Sequence, residues 1–195
     1  MKNMKKILVL ACCAVLLVCI SVGATFAYLT STKTVTNTFT SGSVDITLDE
    51  TDVDKYGVLD GQTRVTANAY TLLPGHEYIK DPTIHVTKGS EPVWLFVKVE
   101  NGIADIESTE VDTIEKQMLD NGWASLSGAQ NVYYYNTTVD ARAAQQDVPV
   151  FKKFTIGKLA SVDGYTGKTV VVTAYAVQAD GFAGAAAAWT GASFN

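Results

Sequence analysis

The chain has 195 residues, 47% of them hydrophobic and 18% charged, with a formal net charge of −5. An acidic balance excludes nucleic acid and anionic membrane surfaces as expected partners, because like charges repel. With two histidines, and three cysteines confined to the first 19 residues, the sequence also argues against cysteine nucleophiles and thiolate metal sites in the rest of the chain.

Lys2, Lys5 and Lys6 precede an uncharged apolar run over residues 7–22. A membrane helix needs about 20 apolar residues. This run is shorter and has the flanks of a secretory signal peptide. The peptidase pockets accept small residues three and one positions before the cut. Thr25 and Ala27 meet that need and leave Tyr28 as the mature N-terminus; Val22 and Ala24 offer a cut three residues earlier. The alternatives are an uncleaved anchor and lipidation at Cys12, which only a short apolar stretch precedes. Residues 1–27 are therefore read as a leader. Cleavage removes Cys12, Cys13 and Cys19, so the mature chain is expected to lack disulfides and to depend on a packed core. It also removes three lysines and no acid, leaving a more acidic chain, long enough for one well-buried domain. The mature protein is expected not to span the membrane, and to be released or held non-covalently.

Residues 28–40 are Thr-rich and β-prone, with few large apolar groups. Beyond them the pattern is that of strands. Val44-Asp45-Ile46-Thr47-Leu48 and Ile84-His85-Val86-Thr87 alternate apolar and polar. Val93-Trp94-Leu95-Phe96-Val97-Lys98-Val99 is rich in β-branched and aromatic residues, as a central strand is. Val132-Tyr133-Tyr134-Tyr135 and residues 151–156 and 170–177 read likewise. Turn residues separate these runs, among them Leu73-Pro74-Gly75, Lys88-Gly89-Ser90 and Asp163-Gly164. One helix is expected after Asp112-Thr113, with Ile114, Met118 and Leu119 on one face and Gly122 as its stop. The Ala-rich residues 182–189 suggest a second short helix. Seven or eight strands with one inserted helix predict an all-β, single-domain antiparallel β-sandwich over residues 41–195.

The search for chemistry returns little. His76 and His85 lack the one-turn helical spacing of a zinc hydrolase. There is no Gly-x-Ser-x-Gly elbow and no phosphate loop. The best metal candidate is the acidic stretch from Asp49, where Asp52, Asp54 and Asp60 fall at spacings like those of an EF-hand loop. Tyr56 and Thr63 stand where that loop needs oxygen ligands, so a solvated acidic loop is the expected reading. Trp94, Trp123, Trp189 and the three consecutive tyrosines suggest a carbohydrate platform, weighed against core and cross-strand pairing. No cofactor and no catalytic residue is expected.

Thr25-Phe26-Ala27-Tyr28-Leu29-Thr30, followed by Asn37-Thr38-Phe39-Thr40-Ser41-Gly42-Ser43-Val44-Asp45-Ile46, resembles the leader and first strand of the TasA/camelysin family. Leu73-Pro74-Gly75-His76-Glu77, residues 93–99, Asn121-Gly122-Trp123, Pro149-Val150-Phe151 and residues 174–179 resemble later blocks in order. Tyr28 stands where the family has a small residue. The resemblance implies a jelly-roll-like sandwich, export with processing by a SipW-type signal peptidase, and a secreted location in extracellular matrix or at the cell surface. It implies a subunit or accessory of biofilm-matrix fibres of Gram-positive bacteria, whose partners are further copies of itself, head to tail, or related matrix subunits. In that mechanism residues 28–40 insert as a donor strand into the next subunit. Tyr28, Leu29, Val35 and Phe39 would fill its groove. The alternatives are a camelysin-like surface metallopeptidase, for which no metal-ligand pattern is present, and a monomeric adhesin or glycan-binding module. Cleavage after Ala27 is checked by N-terminal sequencing of the exported protein, which should begin at Tyr28.

Overall fold

A computed structural model describes residues 3–7, 12–13 and 42–192. The chain divides into two units, residues 1–40 and 41–195. In the first, residues 3–7 and 12–13 are helical and exposed. Among the described residues, no helix is long and apolar enough to cross a membrane.

The second unit is an antiparallel all-β sandwich. Among the described residues its ten strands are β1 (Ile46–Val53), β2 (Leu59–Val65), β3 (Glu77–Ile79), β4 (Thr83–Val86), β5 (Val93–Asn101), β6 (Trp123–Ser125), β7 (Val132–Tyr135), β8 (Gln146–Pro149), β9 (Lys153–Thr155) and β10 (Val170–Gln178). They form two four-stranded sheets, β2-β1-β4-β8 and β10-β5-β7-β6, and a ribbon, β3-β9. Neighbours far apart in sequence, such as β5 and β10, pair through all nine residues. The sheets share one core. Ile84, Val86 and Val148 of the first meet Val93, Leu95, Val97, Val99 and Trp123 of the second, and Tyr78 and Phe154 of the ribbon close it.

The second sheet is covered on both faces. Odd residues of β5 enter the shared core, whereas Phe96 joins Leu126, Val132 and two alanines of a C-terminal helix, α2 (Ala185–Gly191), in a separate cluster. Trp189 of α2 lies 5.1 Å from Phe96 and 5.5 Å from Tyr175, ring centre to ring centre. The Ala-rich tail is thus helical, two to three residues later than expected, and its small side chains let the helix lie close on the sheet. The inserted helix, α1 (Ile114–Asp120), begins at Thr113, whose hydroxyl accepts the Lys116 N–H at 3.3 Å. Ile114 and Met118 are buried, but Leu119 is 47% exposed, so it does not share their face. Gly122 follows the helix at φ 89°, a conformation glycine adopts without steric cost. Pro74-Gly75 forms the expected turn, with Gly75 at φ 76° and the His76 N–H donated to Leu73.

The acidic stretch differs most from expectation. Instead of a loop from Asp49 onward, β1 continues to Val53. The carboxylates tolerate a strand because each finds a cation or a donor. Asp49 pairs with Arg64 and His85, and Glu50 with Lys80. On the outer face of the first sheet, His85 Nε2 lies 2.9 Å from Asp49 and Nδ1 lies 2.7 Å from Asp147. Burial alone would lower the pKa of His85; the hydrogen bonds and charges of Asp147 and Asp49 outweigh it and hold the value above its usual 6.5. Arg64 bridges Asp49 and Asp81, and Gln145 donates to Asp147. A pKa raised by folding means that the folded state holds the proton more tightly. That stabilisation is complete below about 6.5 and disappears as pH rises through the folded value. Melting curves should therefore show stability falling as pH rises above about 6.5, and His85→Gln should flatten the curve in that window.

Candidate functional site

Among the described residues the sandwich is open along one side. The first half of β1, Ile46 to Asp49, pairs with β4, and β2 joins only from Glu50 onward. The Thr87 N–H donates to the Asp45 carbonyl, which fixes the alternation. Odd residues of this half turn their backbone groups to β4; Ile46 and Leu48 turn theirs away, where no strand faces them among the described residues. Among the described residues β10 is an edge strand, paired with β5 alone. Its alternation is fixed by Gly102 N–H donating to Thr169 and Ala179 N–H donating to Pro92. Odd residues therefore serve β5, and Val170, Val172, Ala174 and Ala176 present N–H and C=O along the free edge.

Between β1 and β10 lies a groove of about 630 Å³. Leu48, Tyr70, Leu72, Phe154, Val170 and Val172 supply its apolar lining. Tyr70 stands edge-on to Tyr78 and Phe154 and donates its hydroxyl to the Ile79 carbonyl at 3.0 Å. Burial, then the negative charges of Glu50 and Asp81, push the phenol well above its ordinary pKa. It stays protonated and acts here as a donor.

One polar cluster is built into the wall. Glu50, only 4% exposed, continues the inward series Ile46, Leu48 of β1. Lys80 Nζ donates to its Oε2 at 2.6 Å, and Asn68 Nδ2 donates to its Oε1 at 3.0 Å. Removing one member of such a buried pair costs about 3–5 kcal/mol, because the other charge is left uncompensated. No buried side-chain nitrogen or oxygen among the described residues lacks a hydrogen bond.

The residues singled out in the sequence fare differently. Thr25, Ala27, Tyr28, Leu29, Val35 and Phe39 lie outside the described residues. Asp52 accepts the Thr63 hydroxyl at 3.1 Å. Asp54 accepts the N–H groups of Tyr56 and Val58, both at 2.9 Å, and so closes the β1–β2 turn, while Asp60 sits exposed on β2. The three do not form a ligand set. Among the described residues no group of three or more His, Cys, Asp or Glu is arranged to hold a metal. His76 bonds the Tyr56 carbonyl at 2.9 Å and stands edge-on to Tyr78, apart from the His85 cluster. The aromatics pack against the two cores, Trp123 buried and the others half-buried. Trp123 is 2% exposed with its N–H on the Pro149 carbonyl, Tyr133 and Tyr135 pack on the shared core, and Trp94, Tyr134 and Trp189 on the second cluster. Glu50, Lys80 and Asn68 were not anticipated. The one available signal was the inward phase of Ile46 and Leu48, which carries forward onto Glu50.

Comparison with known families gives one match, to the camelysin metallo-endopeptidase family over residues 3–61. That stretch spans the candidate leader, the β-prone segment, β1 and the start of β2. No curated protein and no solved structure matches the chain. From its N-terminus to the opening of its first hairpin, the chain is similar to the camelysins.

Proposed function

We propose that the protein is an exported structural subunit, or an accessory, of extracellular matrix or cell-surface fibres. Residues 28–40 of one copy would add as a strand to the free edge of β10 in the next. The observation that carries this reading is that edge. β10 has nine residues, none charged and none proline, with no partner on its outer side among the described residues. Edge strands left so unprotected are templates for another chain; most folds blunt them with lysine, proline or a bulge. The apolar groove beside it takes the side chains, with Tyr28, Leu29, Val35 and Phe39 as the candidates. Cleavage after Ala27 by a SipW-type peptidase would free the segment. Because donor and acceptor surfaces differ, the contact is heterologous and propagates into filaments. The adhesin reading is weakened by the packing of its candidate aromatics against the cores.

Chains starting at Tyr28 and at Ser41 discriminate. Electron microscopy should show filaments from the longer chain only. Ala174→Pro removes an N–H that β5 does not use, which edge strands accept. Such a variant of the longer chain should fold and yet fail to polymerise. Filaments from the shorter chain, or from the proline variant, would overturn the reading.

The family description favours a second reading, a metallo-endopeptidase. The structural reading expects casein to survive incubation with the purified chain. Cleavage that a chelator and a His76→Ala, His85→Ala double change abolish would establish the peptidase instead.

A further inference from the structure

We propose that Lys80 and Asn68 join in an intramolecular amide bond, with Glu50 carrying the protons. The proposal stands on this cluster alone and does not rest on the fibre reading. An ion pair accounts for Lys80 on Glu50. It does not account for the way Asn68 is held. The side-chain oxygen of Asn68 accepts the Val53 N–H at 3.1 Å, and its nitrogen donates to the Thr51 carbonyl at 2.8 Å and to Glu50 Oε1 at 3.0 Å. One donor-only and one acceptor-only backbone partner fix which amide atom is which. The amine of Lys80 lies on the other oxygen of the same carboxylate, at 2.6 Å.

A carboxylate shared by amine and amide, and an N–H on the amide oxygen, are therefore in place for an acyl transfer from nitrogen to nitrogen. The Glu50 carboxylate takes a proton from the Lys80 ammonium, leaving an amine with a free lone pair. That pair attacks Cγ of Asn68. Negative charge develops on the amide oxygen, where the Val53 N–H already points, in the manner of an oxyanion hole. Glu50 returns its proton to Nδ2, the nitrogen it already faces. The Nζ–Cγ bond forms, the Cγ–Nδ2 bond breaks, and ammonia leaves with the second amine proton as ammonium. Nothing is oxidised or reduced, and no co-reactant is needed. Glu50 and Lys80 side chains are 5% and 11% exposed, which limits the water around the amine and its base. The product ties the loop after β2 to the end of β3, and so fastens one wall of the groove.

Mass spectrometry of the purified chain, with its N-terminus read from the same spectrum, tests this. The intact mass should fall short of the sequence mass by one ammonia. Trypsin should fail to cut after Lys80, and the peptide spanning Asn68 and Lys80 should carry the deficit. A succinimide at Asn68 would also lose ammonia but would leave the cut after Lys80 intact, which overturns the proposal. Lys80→Arg keeps the charge on Glu50, and should restore both the full mass and the tryptic cut. Glu50→Gln should give the full mass; a cross-link formed without the carboxylate would overturn its assigned role. A wild-type chain of full mass, cut normally after Lys80, overturns the whole.

Discussion

Everything in this domain is arranged around a strand that must be buried on both sides. β5 is neither an alternating half-exposed strand nor a buried helix. Val93, Leu95, Phe96 and Val97 are all fully buried, on alternate faces. Each such side chain is worth roughly 1.5–3 kcal/mol relative to leaving it in water, and without disulfides in the described domain this is the kind of term that holds it together. Burying both faces demands two covers. The first sheet covers one, and the C-terminal helix the other. It also demands lateral partners, which β10 supplies along the full length of β5 on one side and β7 on the other.

The open side of the sandwich follows from the same arrangement. β10 gives one edge to β5, and among the described residues its other edge meets no strand. β1 is divided, with β4 along its first half and β2 along its second. The gap left between them is apolar at its centre, yet it contains the one carboxylate pointing inward from β1. A fold that pays for burying Glu50 must keep Lys80 and Asn68 in fixed positions, and this constrains the loop carrying Asn68 more tightly than its sequence suggests.

Much of this architecture was legible in the sequence because it is local. The β-branched and aromatic run of β5, the turn at Pro74-Gly75 and the start of α1 at Thr113 each depend on neighbouring residues. What was illegible depends on partners distant in the chain. β2 is exposed along nearly its whole length and has no alternation to read; only its pairing with β1 makes it a strand. The acidic half of β1 looked like loop because its compensating groups, Arg64, Lys80 and His85, lie 15, 30 and 36 residues away from their carboxylates. Leu119 was placed on the wrong side of α1 because only Ile114 and Met118, four apart, point at the core. The role of the Ala-rich tail was invisible, since small residues carry no pattern until the surface they fit is known. The groove, a relation between two strands more than a hundred residues apart, has no sequence signature at all.

The cover that α2 provides has a consequence for when the domain can exist. Chains are made and threaded from the N-terminus, and the last described helix is the piece that shelters Phe96. β10, the full-length neighbour of β5, also arrives late. A nascent chain that has already produced β1 to β9 still has a central strand with one lateral partner and one bare face. Long-range pairing of this kind is slow to form and is completed only after the ends have met. Until those last elements are made, the sandwich stays unlocked.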